Sequence, residues 1–515
     1  MIRYRDVSPS VSSAVVPASS APRVRPPTVA FGDRVLTSDE MVGIAAGWRD
    51  VVRESIPATA RLTALPLSNH PEAIALLFAL SSLSLPVAVY PADPRAWRSD
   101  PPVPTGTPLF IPPCLRDLES ARAPGLIPRV LPAPRMSSAP ADSVPFLGCP
   151  GFVNFTSGST GRPKPVYITT ESFLLQTAAI IEACALSGES AVAGSLQLST
   201  HYGLGQALLL PSVLGSPLGL LDRFEPNALL ALFATRDYAY WAGTPIMADL
   251  LTRAAPPGAR PPVPRICHIS AGKLPIRVFD AFTERFGVKL RPNYGQTENG
   301  FITVDLGTDA EIRPDCVGRA APGIEVRIGD DPRDPYPPGR LGRVWFTSPW
   351  YMEGYGFPPH VSRAGHDGWW STADVGLLDD RGYLTLAGRA DDCFKTASGY
   401  LVNPGEIIQA LATHPGVVEV VILPVEGAHG PVVGAVVEAV GALDPDGIRA
   451  TATRLLPPWL QPQVVVATER LPRLSAGKAD RKACLALLAG ARDPGRARPA
   501  PGREPGDGSR RPSGG

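Results

Sequence analysis

Phe152-Val153-Asn154-Phe155 runs directly into Thr156-Ser157-Gly158-Ser159-Thr160-Gly161-Arg162-Pro163-Lys164, an apolar run followed by a glycine- and hydroxyl-rich loop that ends on a lysine. Glycines let successive backbone N–H groups close around an anion, four hydroxyls add donors, and the ammonium supplies a point charge. The segment therefore reads as a phosphate cradle. It is not a Walker loop, because the GKS/T ending is missing and a proline precedes the lysine. For such a run taken alone, a Ser/Gly-rich surface turn is the plain alternative. From Thr169, TTESFLLQTAAIIEACA offers a Thr cap, an early Glu171 and apolar residues near helical spacing, so a helix follows the loop.

Outward from the loop, apolar runs such as Ala73 to Leu80 and Leu204 to Leu214 alternate with helix-like segments and Pro/Gly turns, which predicts layered α/β architecture. After about residue 388 the pattern changes. Short β-rich runs, Val417 to Val421, Val432 to Val440 and Val464 to Ala467, surround a helix begun by Pro404 and Glu406, which predicts a separate α+β domain. The expected organisation is a disordered tail over 1–27, a large domain over 28–388, a small one over 389–490 and a second tail over 491–515. At 515 residues more than one core is required.

The composition is 44% hydrophobic and 19% charged with a net charge of +1, which suits a globular protein and gives no electrostatic pull toward nucleic acid or anionic membrane. No apolar stretch reaches the roughly 20 residues of a membrane span, and the N-terminus lacks the apolar core of a secretory signal, so a cytoplasmic location is expected. Seven scattered cysteines show no close pairs for zinc or disulfides and read as small buried residues.

Four further segments carry chemistry. Asn293-Tyr294-Gly295-Gln296-Thr297-Glu298 sets an aromatic, a hydroxyl and a carboxylate within six positions. Trp369-Trp370-Ser371-Thr372-Ala373-Asp374-Val375-Gly376 supplies a carboxylate beside a turn. Gly388-Arg389-Ala390-Asp391-Asp392 is followed closely by Lys395-Thr396-Ala397-Ser398-Gly399-Tyr400. Leu474-Ser475-Ala476-Gly477-Lys478-Ala479-Asp480-Arg481 precedes the last helix. Only six of the 49 basic residues are lysine, yet Lys164, Lys395 and Lys478 all fall inside these segments, where a compact ammonium is wanted rather than a planar fork.

In order and wording the five segments resemble the adenylate-forming superfamily: acyl-CoA and aryl-CoA synthetases, peptide-synthetase adenylation domains and firefly-type luciferases. The resemblance covers roughly residues 28–488. It implies a large N-terminal domain of α/β subdomains with a smaller, mobile α+β C-terminal lid, and ATP-dependent activation of a carboxylic acid to acyl-AMP with pyrophosphate release. Transfer to the pantetheine thiol of CoA or of a 4'-phosphopantetheine carrier protein would follow. By resemblance, Thr156 to Lys164 hold the β- and γ-phosphates, Thr297 contacts the α-phosphate, and Glu298 holds Mg²⁺. Asp374 and Arg389 take the ribose, and Tyr294, within Asn293-Tyr294-Gly295, lies against adenine. Ser270, Ala271 and Gly272 form a thin wall between nucleotide and acyl group. Lys478 neutralises charge in the first half-reaction. Asp391 is the hinge, and Lys395 and Gly399 border the thiol channel.

The acyl pocket is the least legible part. Thr200-His201-Tyr202-Gly203 matches the segment where relatives carry an aromatic gate, and His201 or Tyr202 is the candidate, with Gly203 beside them. A lone histidine among apolar residues is more often structural. Residues 199–206 contain no Asp to hold an ammonium, whose unpaired burial is costly, so an aromatic or aliphatic acid is favoured over an amino acid. With no carrier domain after residue 490, the acceptor is expected to be free or separately encoded. The competing readings are a stand-alone amino-acid adenylation enzyme, a phosphate-transferring NTPase, a luciferase-like oxidase, and a non-catalytic module that keeps the fold. Lys164, Glu298, Asp374, Arg389 and Lys478 together argue against the last.

Overall fold

The computed structural model describes residues 24–93, 103–120, 125–133, 147–156, 163–305, 311–358, 360–362, 368–402, 404–427, 430–439, 445–473 and 479–492. The chain divides into two compact units, the first running to Asp391 and the second from Asp392.

Two large sheets and a smaller one build the first unit. In the nine-stranded sheet, Leu290–Gln296, Ile266–Ile269, Tyr240–Gly243, Val192–Gly194, Leu218–Leu220 and Val29–Phe31 run parallel in that spatial order, with antiparallel strands added at both edges. The eight-stranded sheet has a parallel half centred on Thr63–Leu67. It turns antiparallel at Gly151–Phe155, Pro165–Thr169 and Gly354–Phe357. Parallel strands buried on both faces need near-continuous apolar sequence. Thr63–Leu67 is accordingly buried at all five positions.

The apolar runs that the sequence sets apart from its helix-like segments are themselves helical. Pro71–Ser81 is a helix with ten of its eleven residues buried, and Leu204–Leu209 is a π-helix leading into the α-helix Leu210–Leu214. Apolar side chains on every face erase the 3.6-residue signal, so a buried helix and a buried strand read alike. Ala, Leu and Phe from Pro71–Ser81 join side chains of both large sheets in one apolar cluster.

The helix expected after the phosphate loop spans Thr170–Ala183, capped by the Thr169 hydroxyl, which accepts from the Ser172 N–H at 3.0 Å. A five-residue strand, Pro165–Thr169, separates it from the loop, so the loop is the tip of a hairpin rather than a strand-to-helix turn. Order also reaches further toward the N-terminus than the composition predicts. Val24 is buried, and Arg25 pairs with Asp39 at 2.8 Å.

The second unit has a three-stranded sheet of Val417–Gly427, Gly430–Ala439 and Val464–Thr468, with helices Pro404–Leu411, Pro445–Leu455 and Arg481–Arg492. Val420, Ile422, Val433, Ala435 and Val437 bury one face of that sheet against Ile407, Leu411, Ile448 and Ala452. All seven cysteines are free. Five are buried, but Cys393 is half-buried and Cys114 is exposed, contrary to the sequence reading. Cys114 follows Pro113 at the start of a short 3₁₀ helix whose polar face meets solvent. Among the described residues, no helix is long and apolar enough to cross a membrane.

Candidate active site

The strand Leu290–Gln296 positions most of the predicted nucleotide residues. It leaves its parallel neighbour after Pro292 and pairs antiparallel with Gly300–Val304, with a register shift between Tyr294 and Gly295. A Cβ at Gly295 would lie 2.0 Å from the Gly300 carbonyl oxygen, so only glycine lets this hairpin close. The irregularity turns Tyr294 toward the four-stranded sheet of the same unit, where its hydroxyl donates to Asp374.

Asp374 stands opposite Arg389 in the ladder between Trp370–Leu378 and Leu384–Arg389, with guanidinium and carboxylate 3.7 Å apart. The preceding Ala373 takes a φ of 60°, a strained conformation for a residue with a side chain. The Asp374 N–H donates to the Thr372 hydroxyl at 3.0 Å. Burial, reinforced by the Asp374 charge, holds the Tyr294 hydroxyl well above its ordinary pKa, so it remains a donor.

Beyond Gln296 the chain turns through Thr297 and Glu298. The Met352 N–H donates to the Glu298 carbonyl at 2.8 Å, and the Tyr355 hydroxyl donates to Glu298 Oε1 at 2.6 Å. The Lys164 ammonium lies 5.4 Å from the centroid of the Tyr355 ring. These groups meet because Gly354–Phe357 pairs with Pro165–Thr169, placing Tyr355 opposite Val166. Thr156 and Lys164 close the neck of the loop. The Thr156 N–H donates to the Lys164 carbonyl at 3.0 Å, and the Lys164 N–H donates to the Thr156 hydroxyl at 3.1 Å. Ser157, Gly158, Ser159, Thr160 and Gly161 lie outside the described residues, as does Lys478.

Sequence reasoning missed Tyr355. Its only signal is an aromatic residue set between two glycines, Gly354 and Gly356, and nothing in the order of residues pairs it with a carboxylate 57 positions earlier.

Ser270 follows the strand Ile266–Ile269, and its hydroxyl donates to the Asn293 carbonyl at 3.2 Å. Ala271 is a second non-glycine residue with positive φ, at 67°, and a Cβ on Gly272 would meet nothing nearer than Pro245 at 3.8 Å. This segment is thin and open, next to Asn293 and the other residues expected to bind the nucleotide.

The acyl-side candidates separate into three roles. His201 is buried, stacks on Phe173 at 4.6 Å between centroids, and sets Nε2 2.9 Å from Gln176 Oε1. Burial drives its pKa down to about 3, so the ring is neutral near pH 7. The Gly300 backbone presses on this pair, since a Cβ there would lie 2.0 Å from Gln176 Oε1. Tyr202 instead lies over the strand ends, its hydroxyl 3.4 Å from the carbonyls of both Gly243 and His268. Gly203 does not border open space. Its missing Cβ would strike the Gln197 carbonyl at 2.0 Å, so it serves the tight turn that Thr200 caps.

In the second unit Lys395 is exposed on a two-stranded ribbon with Leu401–Val402. Gly399, at φ 82°, forms the ribbon's turn, in which its N–H donates to the Thr396 carbonyl at 2.8 Å, and a Cβ added there would meet nothing within 4 Å. Asp391 falls in a single 3₁₀ turn, Ala390–Asp392, at the boundary of the two units.

Residues 138–356 match the family model described as AMP-binding enzyme. The chain is 29% identical over 381 residues to the sulfoacetate–CoA ligase of Cupriavidus necator, covering 70% of this chain and 74% of that one. It is 28% identical over 345 residues to the long-chain-fatty-acid–CoA ligase of Bacillus subtilis, covering 65% and 61%. In structure it superimposes on the ATP-bound MatB of Rhodopseudomonas palustris with a TM-score of 0.76 at 21% identity, over 90% of this chain and 96% of that one. With the fold, the motif order and these relatives in agreement, residues 138–356 are those of an AMP-binding enzyme, and the chain as a whole is similar to the CoA ligases of the adenylate-forming superfamily.

Proposed function

We propose that the protein activates a carboxylic acid with ATP and passes the acyl group to a pantetheine thiol. A carboxylate oxygen attacks the α-phosphorus, the bond to the β-phosphate oxygen breaks, and pyrophosphate departs. The thiol sulfur then attacks the acyl carbonyl, AMP leaves, and the thiol proton passes to solvent.

One observation carries this reading: the segment Asn293–Glu298 places Tyr294 on Asp374 and Arg389 at one end and Glu298 on Tyr355 beside Lys164 at the other. A carboxylate flanked by a phenol and a guanidinium suits a ribose diol, whose hydroxyls donate to the carboxylate. The Lys164 ammonium and the loop it closes suit the terminal phosphates. Glu298 offers hard oxygen donors that fit a divalent cation such as Mg²⁺, which when bound would neutralise phosphate charge. Tyr355 fixes the orientation of that carboxylate. Both reactants are anionic, so the residues contribute mainly position and charge.

The acceptor is CoA or a separate carrier protein in a cytoplasmic setting, and the acid is aryl or aliphatic. The hinge is Asp391, with Lys478 serving adenylation and Lys395 and Gly399 serving thiol transfer.

Acid-dependent exchange of labelled pyrophosphate into ATP tests the first step. Lys478→Ala should cut exchange by about 10²–10³-fold, the range for one group that stabilises developing charge. It should spare thioester formation from preformed adenylate, whereas Lys395→Ala should do the reverse. Equal loss of both steps in both variants would refute the division of roles, and no exchange with any acid would refute adenylation.

A further inference from the structure

Near the wall Ser270–Gly272 the π-helix Leu204–Leu209 leaves room that bears on what the acid looks like, an inference that rests on the adenylating reading above. Gly205 is buried, in the π-helix Leu204–Leu209, yet a Cβ added to it meets nothing within 4 Å. A buried glycine facing open space in a close-packed interior marks an internal cavity. π-turns concentrate at functional sites, and this one is closed by the Leu210 N–H donating to the Gly205 carbonyl.

Two side chains one turn apart flank Gly205 on the same helical face. Tyr202 roofs the strand ends, with its hydroxyl held by the carbonyls of Gly243 and His268, two residues before Ser270. Burial raises its pKa, so it stays a neutral donor.

Gln206, 7% exposed, ends a directional relay. Its Oε1 accepts from the Tyr240 hydroxyl at 2.6 Å. A donor consumed there leaves Tyr240 to accept from His268 Nδ1 at 3.0 Å, and His268 Nε2 faces the Cys184 thiol at 3.9 Å. Each member is neutral. Burial, with help from the Arg291 charge, takes the His268 pKa down to about 3, and burial takes the Cys184 thiol up to about 12. The relay therefore fixes the Gln206 amide with its oxygen toward Tyr240 and its NH₂ turned away from it. Among the described residues no hydrogen bond takes that NH₂.

We infer that this space is the acyl pocket and that its acid is compact, a short chain or a single ring, with a hydrogen-bond acceptor at its far end that takes the Gln206 NH₂. A long hydrocarbon chain would have to displace Tyr202 and push into a layer of buried hydrogen bonds, leaving Tyr240, His268 and Gln206 without partners, a costly arrangement. An acid that lacks the distal acceptor leaves a buried donor unmet, and sites built to hydrogen-bond a ligand discriminate strongly against such analogues.

The test is calorimetric binding of non-reactive N-acylsulfamoyl adenosines, with AMP as reference. Two matched pairs, benzoyl against isonicotinoyl and pentanoyl against 4-oxopentanoyl, differ by a distal acceptor, and dodecanoyl probes length. In the wild type at least one acceptor-bearing member should bind about 10-fold more tightly than its partner, and dodecanoyl at least about 10-fold more weakly than pentanoyl. Gln206→Leu should abolish the acceptor preference without weakening AMP binding. Tyr202→Ala should recover dodecanoyl binding, while Tyr202→Phe, which keeps the ring, should not. Dodecanoyl binding as tight as pentanoyl in the wild type, or no preference within either pair, overturns the inference. If AMP binds while none of the acyl analogues binds more tightly than AMP, the pocket assignment fails alone. If AMP does not bind folded protein, the adenylating reading fails with it.

Discussion

The two sides of the segment Asn293–Glu298 are built from opposite materials. On the side proposed for the nucleotide the groups are charged and partly exposed: Lys164, Glu298, Asp374 and Arg389, with tyrosines 294 and 355 as intermediaries. On the acyl side the polar groups described are neutral, and two buried sets stand out: Gln176 with His201, and Gln206 with Tyr240, His268 and Cys184. Charges in a half-solvated setting bind a charged ligand at small desolvation cost, whereas neutral groups hydrogen-bonded to one another can be buried without the cost of desolvating a charge. On the proposed assignment, affinity for ATP and choice of acid are thus separable properties of one site.

Asp374→Asn should break the charged side most severely. The isosteric amide keeps the shape but loses charge-assisted acceptance of ribose hydroxyls and the pairing with Arg389. At about 1.5–3 kcal/mol for hydrogen bonds to a charged group, kcat/KM for ATP should fall by about 10–100-fold. The relative ranking of acids in pyrophosphate exchange should not change. A changed acid ranking would show that the two sides are coupled.

That separation also explains what the sequence makes legible. The charged side is written in contiguous segments, because a loop or strand end can present several ligand-binding groups in a row. Thr156 to Lys164 and Asn293 to Glu298 are therefore readable as units. Even there the pairing of Tyr294 with Asp374, 80 residues apart, and of Tyr355 with Glu298 needed the sheets to be assembled. The neutral side is scattered over the helix Thr170–Ala183, the π-helix and the strands Tyr240–Gly243 and Ile266–Ile269. Gln206 sits inside an apolar run, and nothing in the run separates its inward amide from a solvated one. His201 is legible as a histidine among apolar residues, for which a structural reading carries the better prior, and its stacking on Phe173 and bond to Gln176 agree with that reading.

Tyr355→Phe sharpens the comparison with a smaller effect. It removes the donor to Glu298 and keeps the ring beneath Lys164, so the phosphate-side packing survives. Losing one hydrogen bond to a carboxylate should raise the Mg²⁺ concentration for half-maximal exchange by about 10-fold, with kcat at saturating Mg²⁺ little changed. Mn²⁺ binding to the ATP complex, followed by electron paramagnetic resonance, should weaken in parallel. An unchanged metal requirement would reduce Tyr355 to a packing residue.

Acid should act on the neutral side, through stability. His201 and His268 each have a folded pKa of about 3 against an ordinary value of 6.5, because burial opposes their charge. The unfolded chain therefore binds protons that the folded chain refuses, and stability must fall as pH drops below 6.5 and continue falling toward 3. At about pH 5.5 the loss amounts to about 1.4 kcal/mol per histidine relative to about pH 8. Denaturant unfolding of the wild type at the two pH values should show their combined effect, to which half-buried His70, also shifted down by burial, adds, and His201→Asn or His268→Asn should each remove a part of the pH dependence. The variants are destabilised at both values, since each leaves a buried partner unmet, so the quantity that decides is the difference between the two pH values. A wild-type stability that is flat across this interval would mean that protons reach these rings in the folded state, and the acyl side would then be a hydrated site rather than the dry, neutral relay that its hydrogen bonds describe.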